Sequence, residues 1–151
     1  MQQRPTAHDR AFIARNSTER ERLKTLVERL ADHELRLPLE DGWTVAAAFA
    51  HLAFWDRRVL ALLEYWQQHG VAPSPYDADV FNAALLPLCL ALPPDRAVQL
   101  ALESAEAVDH AIEQLSDDML TEIVTLAQPP RLERALHRRE HINDIERVLA
   151  Q

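Results

Sequence analysis

Apolar residues recur along most of this chain at the three-to-four-residue interval of an α-helix. Phe12, Ile13, Leu23, Leu26, Val27 and Leu30 predict a first helix over about Thr6 to His33. Two capping boxes, Thr6 with Asp9 and Thr18 with Glu21, allow one helix or two pieces joined near Asn16-Ser17. After the breaker Pro38, Thr44 caps a second helix, Val45 to His69, stopped by Gly70. Its apolar stripe is Ala48, His51, Leu52, Trp55, Val59, Leu62, Leu63 and Trp66. A third helix spans about Asp95 to Leu115, with Val98, Leu102, Ala105, Val108 and Ile112 inward. Pro129-Pro130 opens a fourth, reaching Leu149 and burying Ile142, Ile145, Val148 and Leu149.

Between the second and third helices lies a long connection, Val71 to Pro94, with Pro73, Pro75, Pro87, Pro93 and Pro94 along it. Tyr76 to Leu86 holds a short helix there, and such a connection crosses a bundle or covers a site. Ser116 to Gln128 reads as partly extended, or as a short helix starting after Ser116. Four amphipathic helices with one long crossover predict an all-α four-helix bundle, a single domain over residues 1–151.

Composition narrows the chemistry. Only two glycines occur, Gly42 and Gly70, too few for a phosphate-cradling loop. The net charge of −8, from 16 basic and 24 acidic residues, argues against nucleic acid. Arg131, Arg134, Arg138 and Arg139 alternate with Glu133 and Glu140 and read as a solvated helix face. A lone cysteine, Cys89, excludes an internal disulfide and sits in an apolar run as a small buried hydrophobe. No stretch reaches the length of a membrane span, and Met1 to Pro5 has no apolar signal core. A cytoplasmic location with no membrane contact is expected.

The chemistry-bearing stretch is Leu136-His137-Arg138-Arg139-Glu140-His141-Ile142. Histidines four residues apart share one helix face, so two imidazoles can grip one ion. With seven histidines, about 0.3 such pairs arise by chance, so the pair alone proves little. His51, on the stripe of the second helix beside the small Ala47 and Ala48, is the best third ligand. His8, His33, His69 and His110 lie at ends or on polar faces. Three neutral imidazoles suit zinc, nickel, iron or copper. The pattern His-x-x-Glu-His also matches the inverted zinc proteases. Only ten residues follow His141, and that architecture does not fit in them.

Leu39-Glu40-Asp41-Gly42-Trp43-Thr44-Val45, then Ala50-His51-Leu52-Ala53 and Trp55-Asp56, resembles the second-helix signature of the DinB-like superfamily. Val80-Phe81-Asn82 is similar to its crossover element. His137-Arg138-Arg139-Glu140-His141 with Asp144-Ile145 is similar to its closing helix. The resemblance covers about Leu35 to the end. It implies a four-helix bundle holding a divalent metal on His51, His137 and His141. It also implies kinship with thiol-dependent S-transferases, maleylpyruvate isomerases and hydrolases, with mycothiol or bacillithiol as the thiols used.

The expected cofactors are therefore a divalent metal (zinc, nickel or iron) and a low-molecular-weight thiol. Glu140 and Asp144 are candidates to orient an imidazole; solvated acids paired with Arg139 or Arg134 are the competing reading. Trp55 and Asn82 are pocket candidates, with core packing competing for Trp55. Arg134, Arg138, Arg57 and Arg58 are candidates to receive a substrate's carboxylates. Metal-assisted activation of a small thiol or water on a small-molecule substrate is one expectation. A non-catalytic binder that sequesters a metal or small molecule is the other; a structural site would be closed by a fourth ligand such as Asp56 or Glu140. A homodimer is expected, through Tyr65, Trp66 and Tyr76.

Overall fold

The computed structural model of the chain describes residues 9–151. Thr6 and His8, and with them the first capping box, lie outside these residues. Short polar side chains start several helices. Thr44 Oγ1 accepts from Ala47 N at 3.1 Å and opens α2 (Val45–His69). Asp77 accepts from Asp79 N and Val80 N and opens α3 (Ala78–Ala91). Ser116 accepts from Met119 N and opens α5 (Asp117–Val124). Such caps satisfy amides that have no partner within the helix. The remaining helices are α1 (Ala11–Arg29), α4 (Pro94–Glu113) and α6 (Ala135–Leu149). No strand occurs among the described residues, only a bridge between Pro38 and Thr44. No helix among them is long and apolar enough to cross a membrane.

The helices α1, α2, α4 and α6 pack in a ring: α2 lies against α4 and α6, and α1 against α4 and α6. The crossover is not open chain. It contains α3, which packs on α2.

Two apolar clusters fill the ring. One gathers Leu23, Leu26, Phe49, Leu52, Ala101 and Ile142. The other gathers Val59, Leu63, Trp66, Val108, Ile112 and Ile123. Each fully buried aliphatic side chain contributes about 1.5–3 kcal/mol. Between the clusters runs a buried ionic layer. Arg138 donates to Asp109 at 2.8 Å and to Asp56 at 3.3 Å. Arg134 donates to Asp56 at 2.7 Å, and Arg20 to Asp109 at 2.7 Å.

This layer corrects the reading of Arg134 and Arg138 as a solvated face. Arg138 is 1% exposed. Asp56 on α2 and Asp109 on α4 supply the opposite charges that make this burial tolerable. Burial pulls the Arg138 pKa down, but the two carboxylates outweigh it and the net shift is upward. Arg131 and Arg139 are exposed as expected.

Two element boundaries also differ. The first helix ends at Arg29 rather than His33 and runs unbroken through Asn16-Ser17. Thr18 caps nothing; its hydroxyl donates to the Ala14 carbonyl within the helix. The last helix begins at Ala135, not at the proline pair. Buried Asn16 explains this: it donates to Leu132 O and accepts from Ala135 N, both at 2.9 Å. It therefore caps α6 from another helix and holds the preceding turn.

Candidate metal centre

The second helix places His51 in the bundle interior because its stripe is made of small alanines at that level. One turn separates His137 from His141 on α6. The rings converge: His137 Nε2 lies 3.1 Å from His51 Nε2 and 3.1 Å from His141 Nε2. One ligand atom from each residue lies within 4.8 Å of the others. No further carboxylate or thiol joins this group among the described residues.

The spacing suits one shared ion. Three nitrogens in a tetrahedral set around zinc lie about 3.4 Å apart. A ring nitrogen carries either one proton or one lone pair, so His137 Nε2 cannot form two good hydrogen bonds here. Three lone pairs aimed at a cation satisfy all the contacts together. His51 Nδ1 is buried and has no hydrogen-bond partner among the described residues.

The environment keeps the rings neutral, as ligation requires. Burial, then the neighbouring His141, hold His51 down at about 4. Burial first, then the charges of His141 and Arg134, hold His137 down at about 2. Burial also lowers His141, against an opposing pull from Glu140 and Asp144.

Around the histidines lie two cavities. The larger, ≈ 570 Å³, is lined by all three and by Glu40, Asp41, Glu140 and Asp144. The smaller, ≈ 200 Å³, shares His51, His137 and Asn82 with it. Trp43 meets His51 edge-on, with ring centroids 5.1 Å apart.

The sequence-derived candidates separate clearly. Glu140 and Asp144 face the larger cavity, but neither hydrogen-bonds a histidine; Asp144 takes Arg147 at 3.1 Å. Trp55 donates its indole N–H to Asn82 Oδ1 at 3.0 Å, and both line the smaller cavity. Asp56 cannot serve as a fourth ligand, since Arg134 and Arg138 hold its oxygens. Glu140 stands outside the ligand cluster. Cys89 is buried, which raises its thiol pKa. His33, His69 and His110 are exposed. Sequence reasoning did not assign Trp43, Glu40 and Asp41 to the site; their signal was their place in the signature stretch that leads into the α2 cap.

The sequence model of the DinB superfamily matches residues 15–147. The chain belongs to the DinB superfamily. Among solved structures, the DinB chain is similar to the crystal structure of the mycothiol-dependent maleylpyruvate isomerase, with a TM-score of 0.71 at 18% identity. The match covers 89% of this chain and 59% of that one, so the chain spans less than two thirds of that neighbour's length. This likeness bears on the fold. No curated protein matches the chain.

Proposed function

We propose that this DinB protein is a metal-dependent enzyme that activates a small thiol, or alternatively water, against a small-molecule substrate. The single observation that carries the reading is the meeting of three neutral imidazole nitrogens at 3.1 Å contacts on the wall of a ≈ 570 Å³ cavity. His51, His137 and His141 would hold zinc, nickel or iron. Such an ion lowers the pKa of a coordinated water or thiol toward neutrality.

The chain's own residues do the rest. Burial of the rings keeps protons off the ligating nitrogens. Trp43 and Trp55 flank His51 and limit its ring orientations. All three histidines line the larger cavity, which leaves room beside them for a second reactant.

The nucleophile must come from outside the chain. Cys89 packs with Leu23 and Ala97 in a core cluster and faces neither cavity. Thiol transfer is favoured over hydrolysis because the neighbouring isomerase is named as mycothiol-dependent. The test offers metal-loaded protein a panel of electrophiles with mycothiol, bacillithiol or glutathione, and separately esters and amides without thiol. Thiol-dependent turnover lost in His51→Ala supports the reading. Ester or amide turnover without thiol favours the hydrolase. Tight binding without turnover in either panel favours a sequestering, non-catalytic bundle.

A further inference from the structure

The histidines stand between two cavities of opposite charge. The larger is lined by four carboxylates and one guanidinium, that of Arg147. The smaller is lined by Arg58, Arg131 and Arg134 and by no acidic residue. Three guanidiniums around ≈ 200 Å³ is unexpected in a chain whose net charge is −8.

These arginines are not equivalent. Arg134 is spent on Asp56 and on the Arg131 carbonyl, so it contributes charge rather than free donors. Arg58 is anchored: its Nη2 donates to Ser74 O at 2.9 Å and its guanidinium lies 4.2 Å from the Tyr76 ring centre. Its Nε and Nη1 donate to no group among the described residues. The Arg131 guanidinium is exposed and likewise holds no acceptor. Asn82 gives its oxygen to Trp55, which can only donate, and its amide N–H groups donate to no group among the described residues. Unspent donors of this kind, those of Arg58 on an anchored guanidinium, match a planar carboxylate.

We propose that the smaller cavity is a carboxylate subsite. It receives the acid end of a small, flat organic acid and so brings the adjoining carbon to the histidine cluster. The inference rests on the metal-centre reading for its chemistry, but not for binding itself. The cavity is smaller than a whole ligand site of about 300–1,000 Å³, which fits one end of a substrate. Trp55 and Tyr76, with ring centroids 5.2 Å apart, give it aromatic walls. A flat acid can lie against them; a tetrahedral phosphate would leave them bare.

The test uses benzoate and its uncharged isostere benzamide, titrated into zinc-loaded and metal-free protein. The readout is the NMR shift of the Trp55 indole N–H and the Arg58 Nε–H. Benzoate should shift both signals at concentrations about tenfold or more below those benzamide needs, since charge-assisted hydrogen bonds are about twice as strong as neutral ones. Arg131→Glu, at an exposed position, should weaken benzoate by about tenfold with an unchanged thermal midpoint. Arg58→Gln/Arg131→Gln should abolish the response. Equal responses to benzoate and benzamide, or wild-type affinity in Arg131→Glu, would overturn the proposal. So would inorganic phosphate binding more tightly than benzoate. A response seen only with zinc and indifferent to Arg131→Glu would mean direct ligation by benzoate, and would also overturn it. If zinc fails to bind while the benzoate response persists, the metal reading falls and the carboxylate subsite stands.

Discussion

Arg134 Nη2 lies 3.5 Å from Nδ1 of His137, the ring nitrogen turned away from His51 and His141. In the tautomer that leaves the Nε2 lone pair free for an ion, Nδ1 carries the proton, so Arg134 and His137 meet here as two donors and the contact acts through charge rather than as a hydrogen bond. Arg134 also holds Asp56, and through this side chain the buried ionic layer touches the histidine cluster. Burial is the main cause of the lowered His137 pKa, and the charges of His141 and Arg134 follow. Arg134→Met keeps the burial and removes the charge. The His137 pKa, followed by NMR in the metal-free variant, should rise from its value near 2 while staying below 6.5. An unchanged titration would show that Arg134 does not act on His137.

The ionic layer should matter to stability through its unpaired remainder. Arg138→Met leaves Asp109 and Asp56 short of a buried partner. Breaking such a pair from one side costs about 3–5 kcal/mol. Urea unfolding should show a loss of that order. A loss below about 1 kcal/mol, within the range of surface pairs, would mean water reaches the layer.

The lowered histidine pKa values set a pH dependence. In the unfolded chain each imidazole takes a proton near 6.5. In the folded metal-free protein His51 does so only near 4, and His137 near 2. The unfolded state therefore binds more protons below about 6.5, and this contribution to stability falls as pH drops from there. It is fully present above about 6.5. Denaturation midpoints of metal-free protein between pH 7.5 and 4.5 (about one unit above and two below the unfolded value) should decrease with acidity. His51→Phe should flatten part of that slope. A midpoint that rises with acidity would contradict the burial of neutral rings.

Homodimerisation is proposed through a different surface from the one the sequence suggested. Trp66 is 4% exposed, packed in the second apolar cluster, so the patch built on it with Tyr65 and Tyr76 does not exist as expected. On α3, Val80 is 60% and Leu88 66% exposed. A helix face of this kind is a candidate contact. Sedimentation at micromolar concentration should show a dimer that Val80→Glu/Leu88→Glu converts to monomer. A wild-type monomer would remove the proposal.

Much of the fold was legible because helical spacing is a local signal. The stripe of α2 and its cap Thr44 appear where the sequence places them, and of the two readings of Ser116 to Gln128 the short helix after Ser116 is the one that forms. The candidate ligands were legible too, since His137 and His141 share a turn and His51 lies on an apolar stripe. The ionic layer was misread because charge counts say nothing about facing. Its signal lay in register: Asp56 sits four residues after Leu52, and Arg138 four before Ile142, both on buried stripes. The start of α6 was misplaced for another reason. Asn16 caps it from more than a hundred residues away, which no local pattern contains.

The central claim is one divalent metal per chain on His51, His137 and His141. Calorimetric titration of tag-free, metal-free protein with zinc tests it most directly. The wild type should bind one zinc per chain at pH 7. Each single alanine variant should lose about ten- to a hundredfold or more in affinity, as even outer-sphere losses reach that size. Binding should persist below pH 6.5, because burial keeps the rings unprotonated. His137→Ala/His141→Ala binding zinc with wild-type stoichiometry and affinity would contradict the account.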